Sequence, residues 1–431
     1  MTFPAHSEDG IVQEVKIVGQ HPLRGVVSIG GSKNAGLIIL AACALTEETI
    51  LLHNVPKLDD IRLMLTLLRK LGGIVEWCGD ALQISMKRVC GDVDHDAVRR
   101  MRASICLLGS LVARKKEVLI ALPGGCVFGP RPIDIHLRGL EKLGCTMSFC
   151  DDLIHVRAKE LRGATIDLLG PNGSTVTGTA NILCAATLAK GTTILQNAAR
   201  EPEVVDLCKF LQLMGAKIEG IGQSTIIVEG VEELHGAEYA LMADRIQIGT
   251  FALLAAMADS DVKISPGCRA SGASLWSAME EMGAAVAWEG DDVRIRGSAG
   301  SLHAIHLETL PYPGFPTDLQ APMTAALTQA NGEGSIAETI YQNRFAHVKH
   351  LAQMRADLQL DGNRVIVRGP TELFAASVVA SDLRCGASLY MAALVARGES
   401  TIRGIHHVDR GYECFEKKLQ LLGARIERQR E

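Results

Sequence analysis

The sequence predicts a mixed α/β protein of two domains, built from six copies of one supersecondary unit. The first of two repeated signatures marks the end of an amphipathic outer helix. Two large apolar residues lie three positions apart, a glycine follows, and a short strand comes next. The signature recurs about every 70 residues, and only the fifth copy has arginine in place of glycine. The copies are residues 68–72, 140–144, 211–215, 279–283, 351–355 and 419–423.

The second signature is an alanine-rich, apolar segment upstream of each outer helix. Helices that are small and apolar all round are typically buried, and small side chains let neighbouring helices approach closely. The order within a unit is therefore buried helix, strand, outer helix, strand, strand. A chain of 431 residues is too long for one core, so six units indicate two domains of three. The segments are residues 41–45, 111–113, 185–189, 255–258, 325–327 and 392–396.

Polar or charged residues stand where each buried helix is predicted to begin. Ser, Thr, Asn and Asp are ordinary N-caps worth about 1 kcal/mol. Capping does not explain the cations Lys33, Arg102, Arg245 and Arg384, because a cation is unfavourable at the positive end of a helix dipole unless an anion lies there. We therefore favour a shared anionic ligand over capping with incidental surface charge. The predicted starts are residues 31–34, 102–104, 177–179, 244–245, 317–318 and 382–384.

Composition narrows the class of protein. A net charge of −5 and 4% aromatic residues argue against nucleic acid as a partner, so an anion site must be a local basic pocket. No run of about 18 apolar residues predicts a membrane span, and residues 1–10 lack the pattern of a signal peptide. The twelve cysteines show no metal-ligand spacing. We expect a cytoplasmic protein with reduced thiols.

One cysteine lies in a different setting from the others. Residues 122–134 form a Gly/Pro-rich loop between a predicted strand and the second outer helix, and the loop contains Cys126 and Arg131. Its glycines permit close approach to a ligand. A thiol near an arginine can be activated and can exchange a proton with a substrate. From the loop alone, an incidental exposed thiol is an equally good interpretation.

Seven motifs carry a family resemblance that runs from about residue 17 to residue 426. The chain resembles the UDP-N-acetylglucosamine 1-carboxyvinyltransferases, a family of enolpyruvyl transferases. The resemblance implies a two-domain inside-out α/β barrel of six βαβαββ-like units, three per domain, with the active site in the interdomain cleft. The first domain would span residues 33–241, and the second residues 1–32 plus 242–431. The motifs are residues 31–35, 101–105, 122–134, 197–203, 315–318, 343–345 and 409–413.

The resemblance also implies a reaction. The enolpyruvyl group of phosphoenolpyruvate is transferred to the 3′-hydroxyl of UDP-N-acetylglucosamine with release of phosphate, the first committed step of peptidoglycan synthesis. Addition and elimination through a tetrahedral intermediate need an acid for the methylene carbon, a base for the sugar hydroxyl, and cations for phosphate and carboxylate. No metal or organic cofactor is expected. The expected partners are the two small-molecule substrates, with no nucleic acid, no membrane and a monomer favoured.

Residue roles carry over motif by motif. Cys126 matches the proton donor and Asp318 the base, with Lys33 and Arg410 as further catalytic residues. The matches to phosphoenolpyruvate-binding residues are Lys33, Asn34, Arg131, Arg344, Arg384 and Arg410. The matches to nucleotide-sugar-binding residues are Asn34, Arg102, Arg131, Pro132, Ile133, Asp134, Ile135, Ser174, Thr175, Val176, Asp318, Ile340 and Tyr341.

Taken without the resemblance, several of these residues have simpler interpretations. Asp318 would be an N-cap, and Arg344 and Arg384 would be structural ion pairs. His136 and His407 lie beside the motifs, and we expect them to hydrogen-bond to site residues rather than to act as catalysts.

The sequence departs from the common family pattern at three positions. Gln247 and Gln342 stand where the family usually has glutamate, which would change ion pairing near the site. Gly173 stands where some members carry a lysine that faces the nucleotide. Backbone N–H groups of the following residues could still bind the diphosphate.

Three alternative functions share parts of this pattern. A 5-enolpyruvylshikimate-3-phosphate synthase has the same fold, but the Cys126 loop and residues 197–203 speak against it. An RNA 3′-phosphate cyclase would need a nucleotidylation histidine and a basic surface. A catalytically silent paralogue would bind nucleotide sugar without turnover, and Gln247 and Gln342, which replace two glutamates of the family pattern, are compatible with it.

Overall fold

The structure is a computed structural model and describes residues 13–124, 133–298 and 300–430. Cys126, Arg131 and Pro132, three of the predicted site residues, lie outside this range. Short 3₁₀ helices cover Cys43–Leu45, Arg102–Cys106 and Thr317–Leu319. The α-helices within the described ranges are α1 Lys33–Ala42, α2 Asp59–Lys70, α3 His95–Arg100, α4 Leu107–Lys115, α5 Asp134–Lys142, α6 Val176–Ala186, α7 Pro202–Leu213, α8 Arg245–Met257, α9 Ala273–Glu281, α10 Gln320–Leu327, α11 Ala346–Gln353, α12 Leu383–Val395, α13 His406–Asp409 and α14 Phe415–Leu421.

The strands are short, and most belong to small mixed sheets. In chain order they are β1 Gln13–Val18, β2 Leu23–Ser28, β3 Thr49–His53, β4 Ile74–Cys78, β5 Ala81–Ser85, β6 Glu117–Ala121, β7 Thr146–Cys150, β8 Leu153–Arg157, β9 Thr165–Asp167, β10 Leu169–Gly170, β11 Gly173–Ser174, β12 Thr192–Gln196, β13 Lys217–Glu219, β14 Thr225–Glu229, β15 Glu238–Ala240, β16 Ser260–Ser265, β17 Ala285–Glu289, β18 Asp292–Gly297, β19 His306–Glu308, β20 Gly332–Ala337, β21 Asp357–Asp361, β22 Arg364–Gly369, β23 Ser377–Val379, β24 Glu399–Arg403 and β25 Arg425–Arg430.

The six predicted units are confirmed, because within the described ranges a sheet of the same pattern recurs six times, five times with four strands and once with three. The first unit shows the pattern: β3, β5 and β4 lie side by side and antiparallel, and β15 runs parallel to β3 at the other edge. The sheet of the second unit has three strands, β6, β8 and β7. There a single parallel bridge between Asp92 and Leu119 takes the place of the fourth strand.

The N-terminal strands complete sheets whose other strands come much later in the chain. β1 pairs antiparallel with both β24 and β25, so it fills the central position in the sheet of the sixth unit. β2 runs parallel to β16 and closes the edge of the fourth sheet. These two pairings tie the start of the chain to units four and six.

The alanine-rich helices are buried, as predicted. The described residues divide into two compact units, one of residues 13–29, 245–310 and 314–430, and the other of residues 30–244 and 311–313. In the first, α8, α10 and α12 pack on one another, and in the second α1, α4 and α6 do so. Nearly every residue of these helices beyond the first turn is buried. Their N-terminal residues are the places where polar side chains enter an otherwise aliphatic core.

The outer helices end as the glycine signature predicts. Two residues after the last helical residue, the signature glycine has a positive φ in five of the six copies, from +77° at Gly283 to +103° at Gly215. Arg355 occupies the same position with φ +69°, although it has a side chain. Its guanidinium lies over the ring of Phe374, 4.4 Å from the centroid, and this contact offsets part of the backbone strain. Gly72 could not be replaced in this way, since a Cβ there would lie 2.8 Å from the carbonyl oxygen of Arg88.

None of the helices within the described ranges is both long enough and apolar enough to cross a membrane.

Candidate active site

Asp318 lies between two buried arginines at the start of α10. Its Oδ1 is 2.8 Å from Nη2 of Arg344, and its Oδ2 is 2.6 Å from Nη2 of Arg384. The two arginine side chains are 7% and 6% exposed, whereas that of Asp318 is 24% exposed. The packing of α10 on α12 brings Asp318 and Arg384 together, and Arg344 comes from the segment between β20 and α11. One partly exposed carboxylate therefore pairs with two buried cations.

The charge state of Asp318 follows from these neighbours. Burial alone would raise the pKa of Asp318, but the guanidinium groups of Arg384 and Arg344 outweigh burial and hold the pKa well below its ordinary value. The carboxylate is therefore ionised and can only accept hydrogen bonds. It is a weak base while both arginines stay paired with it, and it becomes a stronger base when another anion engages them.

The arginine at position 384 is held from a second side. Its Nη1 lies 3.3 Å from the hydroxyl of Tyr412, which lies 2.8 Å from the hydroxyl of Thr250 on α8. Tyr412 is two residues after Arg410. Arg410 is the third arginine of this compact unit that matches a phosphoenolpyruvate-binding residue, after Arg344 and Arg384. Arg410 is half-buried and lies beside His407, whose pKa is lowered by burial and by the charges of His406 and Arg410.

Gln247, one of the departures from the family pattern, is buried and bridges two groups near Arg410. Its Nε2 donates to the carbonyl of Gly411 over 3.3 Å, and its Oε1 accepts from Nζ of Lys418 over 3.3 Å. A glutamate would keep the acceptor for Lys418 but would have no hydrogen for Gly411. The amide of Gln247 therefore makes two hydrogen bonds that a glutamate could not both make. Gln342, the second departure, is exposed.

Lys33 begins α1, in the compact unit of residues 30–244 and 311–313, and is paired with a carboxylate. Its Nζ lies 2.7 Å from Oδ2 of Asp60, and the two side chains are 12% and 8% exposed. Its backbone N–H donates to Oδ2 of Asp244 over 3.1 Å. Cations at helix starts predict an external anion, but at Lys33 and Arg384 the protein itself supplies one, through Asp60 and Asp318. A substrate anion at these positions has to compete with an internal carboxylate.

A buried histidine organises the next part of this unit. His136 on α5 lies with Nδ1 3.0 Å from Nδ2 of Asn181 and with Nε2 3.3 Å from the hydroxyl of Thr177, both on α6. Asn181 also accepts from the N–H of Gly109 over 2.5 Å, so it ties α4, α5 and α6 together. Burial, with a smaller contribution from the charge of Arg102, lowers the pKa of His136 to about 3. His136 is therefore neutral, and it holds α5 against α6 through its hydrogen bonds with Asn181 and Thr177.

His136 should make stability depend on pH. Because its pKa is about 3 in the folded protein and about 6.5 when unfolded, its contribution is complete above pH 6.5 and is lost as the pH falls towards 3. The loss approaches about 1.4 kcal/mol per pH unit. His347, whose pKa burial also lowers to about 3, adds a similar loss. Urea unfolding of wild type and His136→Asn between pH 7.5 and 4.5 should show a flatter pH dependence in the variant. Parallel curves would contradict this assignment.

The predicted nucleotide contacts of this unit lie close to one another. The β10–β11 hairpin packs on α5, since a Cβ at Gly170 would lie 3.0 Å from Cδ1 of Ile135. Ser174 ends the hairpin, and the hydroxyl of Thr175 caps α6 by accepting from Gly178 N–H over 3.2 Å. Val176 is the first residue of α6. This segment therefore presents a helix N-terminus next to the His136 support.

Gly173 has a structural reason to differ from the family pattern. Its φ is +102°, and a Cβ there would lie 2.5 Å from Cγ of Pro311. Pro311 is held nearby because the N–H of Tyr312 donates to Oε1 of Glu201 over 3.4 Å. A lysine at position 173 would need a different backbone, so this chain cannot use one there.

The structure thus brings the predicted residues into two groups, one in each compact unit. Asp318, Arg344 and Arg384 contact one another directly, and the ring of Tyr341 lies 5.5 Å from the Arg344 guanidinium. In the other unit, Ile133 and Ile135 are buried, and Asn34 and Arg102 are half-buried. Asp134 is exposed and paired with Arg138 over 3.1 Å. Within the described ranges, no group of three or more His, Cys, Asp or Glu side chains could hold a metal ion.

Four residues next to the predicted ones had no role assigned from the sequence: Asp60 and Glu338, and also Thr317 and Tyr412, which lie within the motifs of residues 315–318 and 409–413. Each touches a predicted residue or a neighbour of one. The sequence carries only a weak indication that Glu338 and Asp60 belong near the site. Glu338 is a charged residue that directly follows a strand ending in apolar residues, and Asp60 resembles an ordinary acidic residue in the first turn of a helix.

Comparison with known proteins adds independent observations. The family described as EPSP synthase (3-phosphoshikimate 1-carboxyvinyltransferase) matches residues 17–419. A UDP-N-acetylglucosamine 1-carboxyvinyltransferase of Magnetococcus marinus is 46% identical over 424 residues, which is 97% of this chain and 99% of the relative. Proteins of the same name from Nitratidesulfovibrio vulgaris (46%, 97% of this chain and 99% of the relative) and Methylacidiphilum infernorum (44%, 96% and 98%) are equally similar in extent.

Two solved structures share the fold. The enolpyruvyl transferase NikO from Streptomyces tendae superposes with a TM-score of 0.89 at 24% identity, over 98% of this chain and 100% of that chain. An EPSP synthase from Acinetobacter baumannii superposes with a TM-score of 0.75 at 19% identity, over 97% and 100%. At these identities the likeness concerns the fold alone.

Proposed function

The chain belongs to the EPSP synthase family, and from this premise we propose that it transfers the enolpyruvyl group of phosphoenolpyruvate to the 3′-hydroxyl of UDP-N-acetylglucosamine. One observation carries the proposal. Relatives that bear the name of this activity are 44–46% identical to the chain over 96–97% of its length. The two groups of site residues described above agree with it, because they combine cations for an anionic substrate with an ionised carboxylate for a hydroxyl proton.

The reaction can be written with these residues. Asp318 removes the proton of the 3′-hydroxyl, and the oxygen bonds to C2 of phosphoenolpyruvate while Cys126 gives its proton to C3. In the tetrahedral adduct a proton then returns from C3 to the Cys126 thiolate, and the electrons of that C–H bond restore the C2–C3 double bond. The C2–O bond to phosphate breaks, and phosphate leaves with the bonding pair. Lys33, Arg344, Arg384 and Arg410, with Arg131, neutralise the phosphate and carboxylate.

The ion pairs of the described residues suggest how binding prepares this chemistry. Asp318 is held by Arg344 and Arg384, and Lys33 is held by Asp60. When the anions of phosphoenolpyruvate engage the cations, the carboxylate of Asp318 loses part of its compensation and its basicity rises. The base is thus weakest when phosphoenolpyruvate is absent.

Phosphate release tests the proposal. Wild type should release phosphate from phosphoenolpyruvate only when UDP-N-acetylglucosamine is present, and Cys126→Ala should abolish the release. Release in the Cys126→Ala variant would still support the transferase activity, but it would show that a residue other than Cys126 donates the proton. Release that requires shikimate 3-phosphate instead would favour the synthase of that substrate. Binding of nucleotide sugar without any release would favour a silent paralogue and contradict the proposal.

We also propose that the protein works in the cytoplasm as a monomer and has no nucleic acid partner. The eleven cysteines of the described part carry free thiols, which is typical of a reducing compartment, and the net charge is −5.

A further inference from the structure

Glu338 is a fully buried carboxylate that directly follows β20. Its relative exposure is 0%. Oε1 accepts from the hydroxyl of Thr309 over 2.9 Å and from the backbone N–H groups of Ile340 and Tyr341 over 2.8 and 2.9 Å. Oε2 accepts from the hydroxyl of Thr317 over 2.8 Å. Four donors from three separate segments therefore converge on one side chain.

The Glu338 carboxylate fixes the positions and directions of the four groups that donate to it. An ionised group in the interior is very unfavourable unless hydrogen bonds replace its hydration, and here four donors do so. Because the carboxylate can only accept, each donor has a fixed direction. The hydroxyl of Thr317 has a single hydrogen, and it points at Glu338. Its lone pairs are consequently left for another donor.

That other donor is Arg344. Its Nη1 donates to Oγ1 of Thr317 over 2.9 Å, while its Nη2 pairs with Asp318 over 2.8 Å. The two ends of the guanidinium are thus fixed by the adjacent residues Thr317 and Asp318. The direction of the Thr317 hydroxyl depends in turn on Glu338. The same carboxylate holds the backbone of Tyr341, whose ring lies 5.5 Å from the Arg344 guanidinium.

We propose that Glu338, acting through the Thr317 hydroxyl, is a positioning residue that sets the orientation of Arg344 against Asp318 for the phosphoenolpyruvate half of the reaction. The inference rests on the proposed function. It extends the candidate site to a residue that touches no substrate. Its chemical content is a directed chain of hydrogen bonds, from Arg344 to Thr317 to Glu338.

Two matched threonines make the inference testable. Thr317→Val and Thr309→Val each remove one hydroxyl donor from Glu338, but only the first removes the contact with Arg344. Thr309 also accepts from the N–H of Thr339 over 3.0 Å, so its loss should harm folding at least as much. A hydrogen bond to a charged group supports an effect of about 10- to 100-fold. Thr317→Val should raise KM for phosphoenolpyruvate or lower kcat/KM by that factor, and leave KM for UDP-N-acetylglucosamine within about threefold.

The control variants complete the design. Thr309→Val should lower the melting temperature by as much as Thr317→Val and should keep near wild-type kinetics. Thr317→Ser, which keeps the hydroxyl, should restore the activity. Equal kinetic effects of the two valine variants, or a Thr317→Ser variant as impaired as Thr317→Val, would show a purely structural role and overturn the inference. An inactive wild type would overturn the proposed function and this inference with it, whereas an active wild type with matched valine variants would overturn this inference alone.

Discussion

Asp318→Asn is expected to lower kcat by about a thousandfold while phosphoenolpyruvate binds at least as tightly as to wild type. The amide cannot take the proton of the sugar hydroxyl. It also no longer neutralises Arg344 and Arg384, which lie 2.8 and 2.6 Å from the carboxylate, so both become available to the anion of the substrate. Steady-state kinetics together with calorimetric titration of phosphoenolpyruvate would separate the two effects.

The opposite signs of the two effects make this variant informative. A kcat within tenfold of wild type would remove Asp318 from the role of base. Parallel losses of turnover and binding would indicate damage to the arginine pair instead. Asp259→Asn is a matched control, because Asp259 makes an exposed ion pair with Arg24 at 2.7 Å and should leave kinetics unchanged.

Lys33→Met is expected to lower kcat/KM for phosphoenolpyruvate by roughly 10²- to 10³-fold and to destabilise the protein by about 3 kcal/mol. The first effect follows from the loss of a cation proposed to bind the substrate anion. The second follows because the buried carboxylate of Asp60, whose side chain is 8% exposed, loses the ammonium group that lies 2.7 Å away. Kinetics and urea unfolding measure the two effects separately.

A second substitution separates stability from function in this pair. Adding Asp60→Asn to Lys33→Met also removes the buried carboxylate that faces Lys33 in the wild type. The double variant should recover most of the lost unfolding free energy, but none of the activity. If the double variant regained activity, Lys33 would be only the structural partner of Asp60. If it regained no stability, the ion pair would not account for the loss.

The repeat could be predicted because its signals are local. A glycine with positive φ after each outer helix and an alanine-rich face on each buried helix follow from backbone geometry and close packing, and neither needs knowledge of distant residues. Arg355 shows the limit of such a signal, since a stacked ring at Phe374 lets a residue with a side chain occupy the glycine position.

The site was only partly predictable, because its pairs are distant in sequence. Cations at helix starts were recognised as unusual, but Arg384 and Asp318 are 66 residues apart, and Thr317 and Glu338 are 21 apart. No periodicity joins such positions. The pairing of Lys33 with Asp60 and of Arg384 with Asp318 therefore could not be read from the spacing of these residues, although Asp318 itself was predicted.

The pairing of β1 with β25, in which Gln13 lies opposite Arg430, has a consequence for how the protein is made. On the ribosome, β1 is synthesised long before β24 and β25, so this inner strand of the sixth sheet waits for both of its neighbours. Until then an unpaired edge stays open, and that half of the molecule cannot close by itself. The same neighbourhood suggests a direct route to a circular permutant: a short linker from residue 430 to residue 13 would let synthesis begin elsewhere, for instance at residue 30, and would shorten this wait.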